Sequence, residues 1–336
     1  MPGKLIVDEI EDSGGTSVIG RKNYIINGNF DIWERGTSET GRTSSGYAAD
    51  RWFINPSGGT IASSQQSFTV GQTDVPNEPA YFYRFTNSVA ADNAGLWQKI
   101  EGVRSLAGQT ATISFYAKYT TNAPTSLNLD INQDFGSSGS ADVATSIQTG
   151  ITLTTSWQKF TYSIDVPSIS GKTVAGGDDN IAFRIGNPNT EIWDMDIAQV
   201  QVEKGSVATD FEVRPIAEEL ILCKRYYQKF VSPRVNYLIA NPGIAMSTNG
   251  INFDIPLDTE MRIQTDGTSG TVTKSGDFGI NAFASSGDNT SGVNVFRLSK
   301  HSLQIDMTKA SSTLSSYSSY YVSAANGASL AIDVEL

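Results

Sequence analysis

The side chains able to do acid–base, nucleophilic or metal chemistry are few in this 336-residue chain, and they are widely spaced. His301 is the only histidine, so any Ser-His-Asp or Cys-His arrangement would have to use it. It lies in a predicted strand, far along the chain from Cys223, the only cysteine. A surface or strand histidine is therefore the favoured interpretation. One histidine and one cysteine exclude an intrachain disulfide, a cysteine zinc cluster and metal sites built on several histidines.

Paired carboxylates are the second arrangement to consider, because glycoside hydrolysis needs only two of them. Asp178 and Asp179 lie in the turn-like segment VAGGDDNIAF, and Asp194 and Asp196 lie two residues apart on a predicted strand. Solvated acids of a loop or strand edge explain both pairs equally well. The sequence therefore favours a protein that is not an enzyme.

The composition favours an ordered all-β protein. Charged residues make up only 18% of the chain, while 31 glycines and many Ser, Thr and Asn residues suit short strands joined by turns. The 15 Phe, 13 Tyr and 5 Trp supply enough apolar area for cores. The net charge of −11 disfavours nucleic acid and anionic membrane surfaces as partners.

Neither a membrane-spanning segment nor a signal peptide is predicted. No apolar run approaches the roughly 20 residues that cross a bilayer. The first residues, MPGKLIVDEIEDSGG, lack the basic start and the long apolar stretch of a signal peptide. We expect synthesis in a cytoplasm.

Several segments alternate apolar and polar residues, as strands with one buried face do. The clearest are 110–118, 126–132 and 157–166. Near the end of this region the alternation slips: Met195 and Ile197 share one phase, and the apolar residues after them take the other. A slip of one residue inside a strand predicts a β-bulge.

One helix is predicted, over residues 215–230. Pro215 suits the first helical position, and acidic and basic residues lie at the ends that the helix dipole favours. Ile216, Leu220, Cys223 and Tyr227 recur at helical spacing. Beyond it, residues 231–336 return to strand patterns, at 250–257, 269–275, 294–307 and 329–336.

Five blocks of sequence carry a resemblance to a known family. The first, NYIINGNFDIWERG, has an Asn27-Gly28 turn whose glycine tolerates positive φ, followed by Phe30 and Trp33 as expected buried anchors. The others are YAADRW, LWQKIEGVRSLAGQTATISFYAK, SWQKFTYSIDVPS and VQVEKGSVATDFEVRPIAEELILCKRYYQKF. In this order they resemble bacteriophage tail-fibre or receptor-binding proteins that contain a carbohydrate-binding-module-like jelly roll.

The resemblance implies an all-β fold of four parts. These are an N-terminal attachment hairpin (1–22), a jelly-roll β-sandwich (23–214), a short linking helix (215–230) and a second, β-sandwich-like C-terminal domain (231–336). It implies a virion protein that holds a host surface glycan and joins other tail or baseplate proteins through its N-terminus. A structural virion component that binds no glycan is the alternative, and a glycan-cleaving tailspike is a third.

The same resemblance implies a homotrimer, and we expect Ile216, Leu220 and Tyr227 to contact the other copies because so short a helix needs a partner. Carbohydrate-binding modules of this type often hold a structural calcium, which here would use Asp31 and Asp196. No other cofactor is expected. We expect glycan contacts from Tyr317, Tyr320 and Tyr321, in a C-terminal region of polar loops. Packing of these tyrosines between strands is the alternative.

Overall fold

We describe the chain from a computed structural model. It describes residues 22–91, 94–231, 237–238, 243–245, 250–262, 271–275, 278–282, 288–298, 301–309, 319–324 and 328–335. The predicted attachment hairpin lies outside these ranges. The chain divides into two compact units, with the division between Leu220 and Ile221. Among the described residues, no helix is long and apolar enough to cross a membrane.

The first unit is built from twelve strands and one 3₁₀ turn. They are β1 Ser38–Arg42, β2 Gly46–Tyr47, β3 Phe53–Asn55, β4 Thr60–Ser67, β5 Tyr81–Ala91, β6 Ala94–Glu101, the 3₁₀ turn Val103–Ser105, β7 Thr110–Lys118, β8 Leu127–Asp134, β9 Val143–Ile151, β10 Gln158–Asp165, β11 Asn180–Asn187 and β12 Glu191–Lys204.

These strands form two six-stranded antiparallel sheets. The first sheet has the order β1-β4-β5-β12-β7-β10, and the second has the order β2-β3-β6-β11-β8-β9. One apolar core joins them, with Phe85, Phe115 and Trp193 from the first sheet and Leu129 and Phe183 from the second. The predicted jelly-roll β-sandwich is confirmed, because the alternating residues of both sheets meet in this core.

The predicted bulge is present in β12. Ala198 pairs with Tyr116 and Gln201 with Ser114, so β12 carries one extra residue, and Gln199 has a φ of 48°. Met195 and Ile197 before the bulge, and Val200 and Val202 after it, all face the main core. Because of the bulge, the apolar side chains of β12 face the core both before and after it.

The opening loop packs against this bulge, and it corrects one expectation. The residue with positive φ in the turn is Asn27, at 57°, and not Gly28. Glycine is required at 28 because a Cβ there would lie inside van der Waals contact with the carbonyl oxygen of Val200. The Val200 N–H donates to the Gly28 carbonyl at 2.9 Å. The two chain segments thus meet backbone to backbone. Phe30 and Trp33 are buried, as expected.

The helix α1 is Ile216–Lys224, shorter than the predicted 215–230. The Gln228 side chain donates to the Lys224 carbonyl at 3.2 Å, and the Tyr226 carbonyl accepts from the Val334 N–H at 2.9 Å. Carbonyls that would continue the helix are therefore bonded elsewhere, and the aromatic residues after it enter a strand. Tyr227 lies in that strand and is 7% exposed.

The second unit contains the rest of the described strands. They are β13 Tyr227–Val231, β14 Tyr237–Leu238, β15 Gly243–Ala245, β16 Gly250–Pro256, β17 Thr271–Ser275, β18 Phe278–Ala282, β19 Asp288–Leu298, β20 Ser302–Lys309, β21 Ser319–Ala324 and β22 Ser329–Asp333.

They form a three-stranded sheet, β13-β22-β17, and a seven-stranded sheet, β14-β21-β15-β16-β20-β19-β18. Strand β18 also pairs with β21, so six strands of the larger sheet close on themselves. The single strand predicted over 294–307 is two strands, β19 and β20. The all-β prediction holds for this unit too.

Gly28→Ala should destabilise the sandwich without changing its fold. The added methyl group must push the opening loop away from β12, and overpacking of this kind costs about 1–3 kcal/mol. Thermal unfolding followed by circular dichroism measures the loss. Thr40→Ala, at an exposed position of β1, is the control and should leave the unfolding temperature unchanged. Equal unfolding temperatures for Gly28→Ala and the native chain would contradict the close approach.

Candidate functional site

One row of side chains crosses the whole second sheet on the face away from the core. Its six members are directly paired neighbours, one from each strand, because each is the Cα partner of the next: Tyr47, Phe53, Trp97, Arg184, Asp130 and Ser146. Strands lie about 4.8 Å apart, so the row is roughly 24 Å long.

Three aromatic rings form the first half of the row. Tyr47, Phe53 and Trp97 are all half-buried. The rings of Tyr47 and Phe53 meet edge to face with centroids 5.3 Å apart. A cation lies beside each ring in turn: Arg35 at 5.3 Å from Tyr47, Lys99 at 5.7 Å from Phe53, and Arg184 at 5.5 Å from Trp97. These contacts hold the rings in fixed orientations.

Hydrogen-bonding groups form the second half. The Arg184 Nη1 donates to Asp130 Oδ2 at 2.8 Å, and Arg184 is only 8% exposed. Its guanidinium group lies across paired glycines of neighbouring strands: a Cβ on Gly186 would lie 2.7 Å from Arg184 Nη2, and one on Gly95 would lie 3.4 Å from Nε. The missing side chains therefore let Arg184 lie along the sheet.

A groove of about 380 Å³ lies over this half of the row. Trp97 and Arg184 line one part of it. Residues of β8 and β9 line the rest, mostly polar ones such as Asn128, Asn132 and Ser146, together with the apolar Ile131 and Ala144. Its volume falls within the range of about 300–1,000 Å³ that is typical of ligand sites. A ligand with an apolar face and many hydroxyl groups fits such a lining.

The residues that sequence analysis assigned to glycan contacts are elsewhere. Tyr317 lies outside the described residues. Tyr320 and Tyr321 belong to β21, where the backbone is described but their side chains are not. The hypothesis of a C-terminal glycan surface therefore stays a prediction.

The predicted calcium site at Asp31 and Asp196 stays a prediction, and each of the two carboxyls has a partner within the chain. Both oxygens of Asp196, which is fully buried, accept from Arg84, at 2.7 and 2.8 Å. Asp31 Oδ2 accepts from the Asn29 side-chain amide at 3.1 Å. Calcium needs six or more oxygens. Among the described residues, no group of three or more acidic, histidine or cysteine side chains could hold a metal.

The candidate catalytic acids have structural contacts. Asp194 accepts from the backbone N–H groups of Thr121 and Asn122 at 3.0 and 2.6 Å. Asp178 and Asp179 accept backbone N–H groups of neighbouring loops, at 2.9 and 2.7 Å. These bonds fix loops around the sandwich. They do not place two carboxyls at one cleft.

The other candidate nucleophile and base are also apart from the row. His301 is exposed, immediately before β20. Cys223 lies in α1 and is 1% exposed, so it is the small apolar residue that sequence analysis expected.

The row was not predicted from the sequence, in which tryptophan was considered only as a source of apolar area for cores. Trp33, Trp52 and Trp193 are indeed buried. Trp97 differs, and the alternation in β6 contained the signal: Leu96, Gln98 and Ile100 are buried, whereas Trp97 shares its phase with Lys99. A tryptophan in phase with a lysine points away from the core.

No protein-family model and no curated protein matches the chain. Similar solved structures include the CBM22-2 xylan-binding domain of Xyn10C from Paenibacillus barcinonensis, with 16% identity, a TM-score of 0.34, and coverage of 46% of this chain and 91% of that one. A cyclase from Fischerella sp. TAU has 11% identity and a TM-score of 0.38, covering 56% of this chain and 100% of that one.

A third similar structure is the enzymatically active domain of tailspike protein 4 from bacteriophage CBA120. It shows 11% identity and a TM-score of 0.32, over 54% of this chain and 21% of that one. Identities and TM-scores this low carry no information about ligand or activity. The function has to be inferred from the site itself.

Asp31→Asn should stabilise the protein at neutral pH. Burial raises the pKa of the Asp31 carboxyl, and the neighbouring Glu219 carboxyl also has a raised pKa, mainly through burial. When the pKa of a carboxyl is higher in the folded state than in the unfolded state, its protonation stabilises the folded state at low pH. This contribution to the free energy of unfolding is lost as pH rises through the folded-state pKa. The unfolding temperature should therefore rise in the variant at pH 7, and the gain should shrink toward pH 4. This prediction is contradicted if removing calcium from the native chain lowers its unfolding temperature at pH 7.

Proposed function

We propose that this protein is a non-enzymatic glycan-binding protein, and that the six-residue row is its binding site. The single observation that carries the proposal is the row itself. Three half-buried aromatic rings and the ion pair of the buried Arg184 with the half-buried Asp130 lie in one line across the sheet. A pyranose ring has one apolar face and a rim of hydroxyls, so it uses both kinds of group at once.

The spacing of the row suits a chain of sugars better than a single one. Adjacent strands, and therefore adjacent members of the row, lie about 4.8 Å apart. This is close to the length that one sugar residue adds to an extended polysaccharide. We infer that the glycan lies across the strands, with neighbouring residues stacked on the rings of Tyr47, Phe53 and Trp97. The groove beside Arg184 then receives the next residue.

The groove favours an uncharged segment of glycan. Arg184 is the most deeply placed cation in it, and Asp130 already neutralises that charge at 2.8 Å. A ligand carboxylate would have to compete with Asp130 for the guanidinium group. Sugar hydroxyls can instead donate to Asp130 and accept from the amides of Asn128 and Asn132 without disrupting the ion pair.

A catalytic function is not favoured by this site. Among the described residues, Asp130 is the only acidic side chain that lines the groove, and hydrolysis by the common mechanism needs two. Asp178, Asp179 and Asp194 are held by backbone N–H groups, and Asp196 is held by the Arg84 side chain. Binding without cleavage is therefore the function that the geometry supports best.

For the biological role, we propose a virion adhesin that attaches to a host surface glycan, as the sequence resemblance implies. It would act as a homotrimer joined to other tail proteins by its N-terminal segment. Ile216 supports a self-contact, because it is 57% exposed on the first turn of α1, and Leu220 one turn later is half-buried. Tyr227 is buried on β13 within its own chain, so we do not propose it as a trimer contact.

Trp97→Ala should lower the affinity for the glycan by at least about tenfold, because it removes the ring at the centre of the row. Binding would be measured by applying the labelled full chain to an array of neutral plant polysaccharides and bacterial surface polysaccharides. Trp157→Ala is the matched control, since Trp157 is also half-buried but lies on the other sheet. The proposal fails if both variants bind as the native chain does, or if no polysaccharide is bound.

Ile216→Glu should convert a trimer to monomers, because a charge at a buried self-contact cannot be solvated. Light scattering at micromolar concentration should give about three times the 36.1 kDa chain mass for the native protein and one chain mass for the variant. Val70→Glu is the control, since Val70 is 96% exposed. A native mass near 36.1 kDa would exclude the trimer.

A further inference from the structure

Four strands lie at the edges of the two sheets of the sandwich, and three of them are short or irregular. β1 has five residues and a break in register, β2 has two residues, and β9 has two breaks in register. Edges of this kind resist pairing with another chain, because their outward N–H and C=O groups do not form a long straight row. The fourth edge strand, β10, differs from them.

β10 is long and regular. It has eight residues, pairs with β7 without a break in register, and contains no proline. On its other side, no backbone hydrogen bond joins it to any residue that the structure describes. A straight row of outward N–H and C=O groups of this length can accept one more antiparallel strand.

The apolar core is also partly open along this side of the sandwich. Three residues of β10, Phe160, Tyr162 and Ile164, pack against the main core but are only half-buried. The same is true of Val143 and Ile147 in β9. Both sheets therefore end in apolar side chains that water still reaches. A partner that continues the first sheet would cover part of this area, which is favourable.

The charges on β10 indicate which partner fits. Lys159 and Asp165 are its only charged residues, lie near its two ends and are both exposed. In an antiparallel pair of two β10 strands with the two-fold axis at Tyr162, each Lys159 faces Asp165 of the other copy. With the axis one residue away, at Thr161 or Ser163, the two charges no longer face each other. The strand is therefore complementary to itself in one register.

The uncharged residues match in the same register. Thr161 faces Ser163 of the other copy on the outer face, and Phe160 faces Ile164 on the core face. Pairs of hydroxyl residues, and pairs of an aromatic with a β-branched residue, are both favourable across antiparallel strands. Asp165 Oδ1 already accepts from the Thr110 hydroxyl at 2.6 Å, and its second oxygen remains for the lysine.

We propose that β10 is a self-association surface, through which a second copy of this chain extends the first sheet by antiparallel β10–β10 pairing. The contact is isologous, so each favourable pair occurs twice. With eight residues a side, against roughly 20–30 a side in a stable interface, it is weak and forms where copies are concentrated. It is separate from the glycan row, which lies on the second sheet, and from the self-contact proposed for α1.

Sedimentation equilibrium of the full chain tests this pairing. At about 10 μM the mass should be that of the basal assembly, one chain or three, and toward about 1 mM it should rise to about twice that value. Lys159→Asp should weaken the association by about tenfold or more, because like charges then face each other twice. Asp165→Lys should weaken it to a similar extent for the same reason.

The double variant K159D/D165K restores opposite charges across the pair, so it should associate within about threefold of the native chain. A general effect of net charge cannot give this pattern, because the two single variants change the net charge in opposite directions. Lys172→Asp, the same change of charge at an exposed position outside β10, is the matched control and should associate as the native chain does. Thermal unfolding checks that each variant is folded.

A native mass that stays constant up to about 1 mM would overturn the proposal. Single variants that associate as the native chain does would also overturn it, because the contact would then use another surface. A double variant as weak as the single ones would exclude the register centred on Tyr162, and the proposal with it. A constant mass together with slow amide hydrogen exchange on both sides of β10 would assign the edge to another segment of the same chain, which is equally a refutation.

Discussion

The antiparallel register of the second sheet is the constraint on which the site depends. Neighbouring residues of a strand point to opposite faces, so the apolar residues that enter the core decide which ones leave it. In β11 the core takes Phe183, which leaves Arg184 outward. In β8 it takes Leu129 and Ile131, which leaves Asp130 outward. A slip of one residue in any of these strands would bury an ion pair and expose the core. The free energy of core burial therefore also maintains the alignment of the row.

The first sheet supports that register from the opposite side of the core. Its closing strand β12 changes phase at the Gln199 bulge, and the opening loop meets it at Gly28. The buried Asn27 then connects three segments: its amide donates to the Ile32 and Asp50 carbonyls at 2.8 and 3.0 Å, and its N–H donates to Glu219. This network fixes the chain next to Trp33. One loop thus links the closing strand, the first turn of α1 and the edge of the sandwich.

Much of the sandwich could be predicted from the sequence because strand alternation is a local property. The strand predicted at 110–118 has the same bounds as β7. The slip in alternation near Ile197 correctly predicted the bulge. The helix was predicted too long because its C-terminal end depends on bonds to distant residues, such as the one between Tyr226 and Val334. The division of 294–307 into two strands, β19 and β20, was also missed. Gly28 was assigned the wrong role because its close approach to Val200 depends on the tertiary structure, which the local sequence does not show.

The site was harder to predict than the fold, because a cross-strand row joins residues that are far apart in the chain. Tyr47 and Ser146 are about a hundred positions apart in the sequence, and only the strand order β2-β3-β6-β11-β8-β9 makes them ends of one line. Phase alone could have shown that Trp97 points outward, but not that Arg184 and Asp130 lie beside it. The glycan contacts predicted from the sequence were tyrosines in a region of polar loops. In this sandwich the candidate groups lie instead on paired strands, where little conformational entropy remains to be lost on binding.

A rigid, shallow row of this kind also bears on how attachment would work. Stacking and exchangeable hydrogen bonds make weak single sites, since much of what they gain replaces contacts with water. Joining identical sites in one assembly raises the strength of attachment without any new contact, provided that all of them can reach the surface together. The shape of each site is set by the sandwich core and not by the ligand, so every copy presents the same geometry before contact. In the proposed homotrimer, preorganisation within the chain and multiplicity between chains would therefore compensate for the weakness of each individual sugar contact.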